Sequence, residues 1–143
     1  MRVPVIRAMA AGILILGMAV PVAMASTGAA ITVNGNFVTG VETFTAKGFC
    51  PSGISVTSNL EIMGGRGGLT FHLDKTLTCD DGSGSLTIHV DAATSNGTSG
   101  GDQGGWSVVS GTGAWASASG GGRLVGDYVP DGVIDHYTGS LHR

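Results

Sequence analysis

The chain has 143 residues, 26 of them glycine, and a formal net charge of −3. Seven basic residues stand against ten acidic ones and form no stripe, so neither nucleic acid nor an anionic membrane surface is an expected partner. The glycines follow no three-residue period, which excludes collagen; they cluster between alternating apolar runs, the pattern of short strands joined by tight turns.

Residues 1–25 read as a signal peptide. Arg2 and Arg7 make a basic start, Ala8 to Val20 is an apolar run, and Ala23-Met24-Ala25 after Pro21 gives a small-x-small cleavage pattern. The competing reading, an uncleaved anchor, is disfavoured because the run falls short of the ~20 residues of a bilayer span. Cleavage after Ala25 takes the net charge from −3 to −5 by removing Arg2 and Arg7. It leaves 26–143 as one domain with a single core, secreted or on the exterior of the cell envelope, with no stable membrane insertion.

In chain order, Ala29 to Val33 predicts a strand and Asn34-Gly35 a hairpin turn. Phe37 to Cys50 predicts the next strand, and Pro51-Ser52-Gly53 turns the chain. Ile54, Val56, Leu60 and Ile62 then mark one face of a third strand. Gly64 to Gly68 leads into Leu69–Cys79, and Asp80 to Gly84 turns into a strand lined by Leu86, Ile88 and Val90. Thr94 to Gly105, without an apolar side chain, reads as the longest loop. Trp106 to Ser110, with Val108 and Val109, reads as a buried strand ended by Gly111 and Gly113. Ala114 to Ala118 could make one helical turn. Trp115, the one large side chain of this corner, is expected to plug the core between Trp106–Ser110 and Arg123–Val129. Gly122 to Val129, a turn at Pro130-Asp131-Gly132, and Val133 to Leu141 complete the chain.

The short links forbid parallel crossovers, so the fold class is all-β: a single antiparallel up-and-down β-barrel of about eight strands, with a two-layer β-sandwich as the alternative. Cys50 shares a strand face with Phe44 and Ala46, and Cys79 shares one with the leucines of Leu69–Cys79. In an exported chain an even cysteine count at interior positions predicts a Cys50–Cys79 disulfide; free thiols or half a metal site lack a nearby ligand pair.

From Trp106 to Gly122 the sequence resembles secreted bacterial proteins with an allene-oxide-cyclase-like or dirigent-like β-barrel. The matching pattern is Trp-x-Val-Val, Gly-Thr-Gly, an aromatic and a glycine-rich exit. Phe44 to Gly53 and Asp74 to Gly84 look like the same exported, disulfide-bearing family, with Trp115 where a Phe or Tyr is more usual. The resemblance implies a barrel whose mouth takes small molecules, and in the enzymes of the superfamily cyclises or couples them. It brings no catalytic motif and no cofactor, so catalytic residues are left unassigned and no cofactor is expected.

Three other features invite chemistry. Gly97-Thr-Ser99-Gly-Gly101 matches G-x-S-x-G but lacks the strand-turn-helix setting of a nucleophile elbow. Asn96-Gly-Thr98 is a formal glycosylation sequon. His72 and Asp74 lie on the polar face of one strand and His89 and Asp91 on that of the next. Pairing across the Asp80–Ser85 turn could gather the four into a metal or acid/base candidate, set against the ordinary polar alternation of a solvent-facing strand. Three functions stay open: a non-catalytic module binding a small apolar ligand, a cyclase- or isomerase-like enzyme acting in the barrel mouth, and a cell-envelope or matrix interaction protein. Polar groups facing a roomy interior would favour the enzyme; a filled barrel would favour the interaction protein.

Overall fold

The computed structural model describes residues 26–65, 67–94 and 101–143. The predicted signal peptide, Ser99 and Asn96 lie outside the described residues. Eight strands run in order: β1 (Ser26–Asn36), β2 (Val41–Lys47), β3 (Ser52–Gly65), β4 (Gly68–Cys79), β5 (Ser85–Thr94), β6 (Asp102–Gly111), β7 (Ser119–Val129) and β8 (Gly132–His142). Each pairs antiparallel with the next, and β8 pairs with β1 to close a barrel. A 3-10 turn, Gly113–Trp115, sits between β6 and β7. The all-β up-and-down reading is thus correct, and the sandwich is not what forms.

Alternation drives the closure. On β5 the inward Leu86, Ile88, Val90 and Ala92 are buried, and Ile31, Val33, Phe44, Leu77, Tyr137 and Leu141 meet them from the other strands. Up-and-down order puts the β2–β3, β4–β5 and β6–β7 turns with both termini at one end, and the other four turns at the opposite end. The first end is filled. There Cys50 and Cys79 form the expected disulfide across 29 residues of chain, both cysteines buried. Trp106 and Trp115 are each 4% exposed. The neighbours of Trp115 differ from expectation: its ring stands edge-on to Phe49 at 4.6 Å and lies under the Arg143 guanidinium at 4.5 Å. The glycines around it do not leave a void for it to fill. They let backbones meet, as at Gly122, where a Cβ would collide with the Thr138 carbonyl.

Several local readings are corrected. The first turn is not Asn34-Gly35, which stays within β1. The side chain of Asn36 accepts hydrogen bonds from the Val38 and Thr39 N–H groups, both at 2.9 Å, and Gly40 at φ +68° completes the reversal. Phe37 to Gly40 is therefore turn, and β2 is short. The long loop is shorter than read: β5 extends to Thr94 and β6 begins at Asp102. Gly104 belongs to a strand because its bare Cα lies against the Asp91 carbonyl, where no side chain fits. Val109 is 59% exposed, not buried, because the β5–β6 register shifts between Thr87 and Ile88 and leaves it as the extra residue.

The most consequential correction is in β3. Ile54, Val56, Leu60 and Ile62 do not share a face. The β3–β4 register shifts between Ser58 and Glu61, and Asn59 takes a left-handed conformation at φ 52°. This bulge reverses the parity of the strand. Before it Ser55 and Thr57 point inward and Ile54 and Val56 outward; after it Leu60 and Ile62 line the interior. β2 ends at Val41 and its last partner on β3 is Ser55, so the rest of β3 runs on past the end of β2. The second end of the barrel is open there.

Candidate functional site in the barrel mouth

The open end leads into a cavity of about 260 Å³. Its upper wall is apolar: Phe37, Leu60, Ile62, Phe71, Leu73 and Val133. Its floor is not. Glu42 of β2, Lys75 of β4, Asp102 of β6 and Asp135 of β8 all face inward, with Tyr128 and Tyr137 beside them. Below this layer the interior is packed with the aliphatic and aromatic core, so the barrel is filled at one end and hollow at the other.

The floor is a connected network. Lys75, 5% exposed, donates to Glu42 Oε2 and to Thr57 Oγ1, both at 2.9 Å, and its ammonium lies 4.0 Å from Asp135 Oδ2. Ser55 and Thr57 donate to Glu42 at 2.8 and 2.9 Å. Burial resists ionisation of Glu42, but the Lys75 charge and these three donors outweigh it and hold its carboxyl below the usual range.

Asp135 is in a different position. It is 6% exposed; among the described residues its one direct donor is Tyr137 Oη at 3.2 Å. Desolvation pushes its carboxyl up to about 6, with the Asp102 and Glu42 charges adding to the shift and Lys75 opposing it. Asp102 is also raised, chiefly by burial. Its Oδ2 accepts from Tyr128 at 3.4 Å, while its Oδ1 is buried without a hydrogen-bond partner among the described residues. Both carboxylates lie against Gly126, whose missing side chain gives them room: a Cβ there would collide with Asp102 Oδ1 and stand 2.8 Å from Asp135 Oδ1. Burial and the neighbouring aspartates push both tyrosine hydroxyls upward, so they act as donors.

Chemically, this floor holds one ammonium against three carboxylates. It can orient the polar end of a small molecule, and it keeps one carboxyl, Asp135, able to give and take a proton near neutral pH.

These residues were missed in the sequence, although parity marks them. Lys75 alternates in step with Leu73 and Leu77, Glu42 with Phe44 and Ala46, and Asp135 with Tyr137 and Leu141. A charged residue in the inward register of a half-buried strand was the available signal.

The four outer residues singled out by sequence do converge. His72 pairs with Asp91 and Asp74 with His89 across β4 and β5. His72 Nδ1 lies 2.5 Å from Asp91 Oδ1, and His89 reaches Asp74 Oδ1 through Nδ1 at 2.8 Å and Asp91 Oδ1 through Nε2 at 3.4 Å. The other two histidines stand apart from this group: His136 lies 3.7 Å from Asp127, and His142 pairs with Ser26 and Ser119 at the filled end.

Compared with family models, curated proteins and solved structures, the chain matches none of them.

Proposed function

We propose that the protein takes a small, largely apolar molecule into the barrel mouth and moves a proton on it, in the manner of a cyclase or isomerase. The observation that carries this reading is Asp135. A buried carboxylate beside Lys75 and Tyr137 forms part of the floor of a cavity whose upper wall is apolar. Burying charge in this way is costly for a domain that needs only a core, whereas acid/base chemistry requires it. The cavity volume of about 260 Å³ lies just below the ~300–1,000 Å³ of small-molecule sites.

Leu60, Ile62, Phe71 and Leu73 would hold the apolar part of the ligand, and Lys75 and the tyrosine hydroxyls would bind an oxygen at its polar end. Asp135 as carboxylate would take a proton from the ligand and return it at a second atom, so that no net atom is gained or lost. The excess of carboxylates favours a neutral or cationic ligand over an anionic one. The resemblance to the allene-oxide-cyclase-like and dirigent-like barrels is in keeping with this chemistry, and the disulfide is in keeping with export.

The test is a panel of small amphiphiles with neutral, cationic and carboxylate heads, followed by NMR in deuterated water. Binding of neutral or cationic members, with solvent deuterium entering the ligand in the native protein and not in Asp135→Asn, is the expected result. Binding without exchange would leave a non-catalytic ligand carrier. Failure of the whole panel to perturb the signals of Tyr128 and Tyr137 would overturn the mouth as the site.

A further inference from the structure

On the outer wall, directly behind the cavity, we propose that His72, His89 and Asp91 form a binding site for a divalent zinc-like ion. The three residues each offer a ligand atom, and all three atoms lie within 4.8 Å of one another. Tetrahedral zinc, with bonds of about 2.0–2.1 Å, sets its donors about 3.3 Å apart. His89 Nε2 and Asp91 Oδ1 already stand at 3.4 Å. Two imidazoles and one carboxylate, with a fourth position open to water, are a donor set that suits zinc and disfavours magnesium and calcium.

The arrangement behind these ligands argues for a built site rather than a chance surface cluster. His89 gives its other nitrogen, Nδ1, to Asp74 at 2.8 Å. With the proton on Nδ1, that bond turns Nε2 outward as the metal-binding atom and fixes the ring plane, the usual role of a carboxylate behind a metal-bound histidine. Asp74 is itself held by the Asn59 side chain at 2.7 Å. Asn59 is the left-handed residue of the β3 bulge, so the same irregularity that turns Leu60 and Ile62 into the cavity also supplies the outermost brace of the cluster. Charge points the same way. Among the described residues the ion pairs of Asp74 and Asp91 are made by histidines alone, with no lysine or arginine to neutralise them. A dication supplies that neutralisation.

All three ligands are accessible, with side-chain exposures of 34% for His72, 40% for His89 and 60% for Asp91, so substitutions there should leave the barrel folded. The experiment is calorimetric titration of zinc chloride into protein produced without a polyhistidine tag, with a thermal melt run in parallel. One zinc per chain should bind saturably and raise the melting temperature, and magnesium or calcium should not compete. His89→Ala and Asp91→Ala should abolish saturable binding, and Asp74→Ala should weaken it about 10–100-fold while leaving the three ligands in place. A double variant, His136→Ala with His142→Ala, should bind as the native protein does. Absence of saturable 1:1 binding in the native protein would overturn the site. So would binding that survives His89→Ala, or that disappears in the His136/His142 variant.

Discussion

Asp135 is where burial, charge and chemistry meet most closely. Desolvation pushes its carboxyl up from 3.8 to about 6, so the native state holds its proton more tightly than the unfolded chain. The consequence for stability has a definite sign: as pH rises from about 4 to 6, the native state loses this advantage, at a cost approaching ~3 kcal/mol above pH 6. Asp135→Asn cannot ionise, so its stability relative to the native protein should increase across that window, measured by urea unfolding at pH 4, 5, 6 and 7. A constant difference between the two proteins would show that Asp135 is not desolvated. Glu42 behaves oppositely. Its lowered carboxyl stabilises the fold above its ordinary value of 4.5, and that contribution is lost as pH falls further. The inward positions of Glu42, Lys75 and Asp135 were legible from alternation alone, because each keeps step with neighbours that are plainly core. That they form one network was not, since Glu42 and Asp135 lie on strands separated by β1 and are joined only when the barrel closes.

Among the elements, β3 shows where pattern reading fails. Four apolar residues, Ile54, Val56, Leu60 and Ile62, look like one stripe, yet the extra residue at the bulge sends two of them out and two in. No residue type announces this; asparagine is tolerated in a left-handed conformation but does not demand it. The β1–β2 turn failed for a related reason, since Asn34-Gly35 has the stronger dipeptide signal while Asn36 makes the actual backbone contacts. By contrast β4 and β5, with clean alternation and no shift between them, were legible throughout, and with them the convergence of His72, Asp74, His89 and Asp91. The bulge can be tested directly. Asn59→Gly keeps the conformation and should cost less than ~1 kcal/mol, whereas Asn59→Val forces a β-branched residue to positive φ and should cost about 1–3 kcal/mol. Equal stabilities in chemical unfolding would mean that Asn59 is not held in that conformation.

At the scale of the molecule, the barrel divides its tasks between its ends. The filled end carries the aromatic contacts of Phe44, Phe49 and Trp115 and the Cys50–Cys79 bond; the open end carries the charged floor. Stability concentrated at one end can offset the burial of charge at the other. Replacing both cysteines with serine should therefore cost about 2–5 kcal/mol and lower the melting temperature sharply. A variant that melts with the native protein would show that the bond contributes nothing to the fold. The proposed function, however, requires the mouth floor to be a desolvated acid/base site rather than a wetted surface. Its most direct test is an NMR titration of the Asp135 side-chain carboxyl, in the native protein and in Lys75→Met. The expected midpoint is near 6 in the native protein and moves higher once the lysine charge is removed. A midpoint near 3.8, indifferent to Lys75, would contradict it.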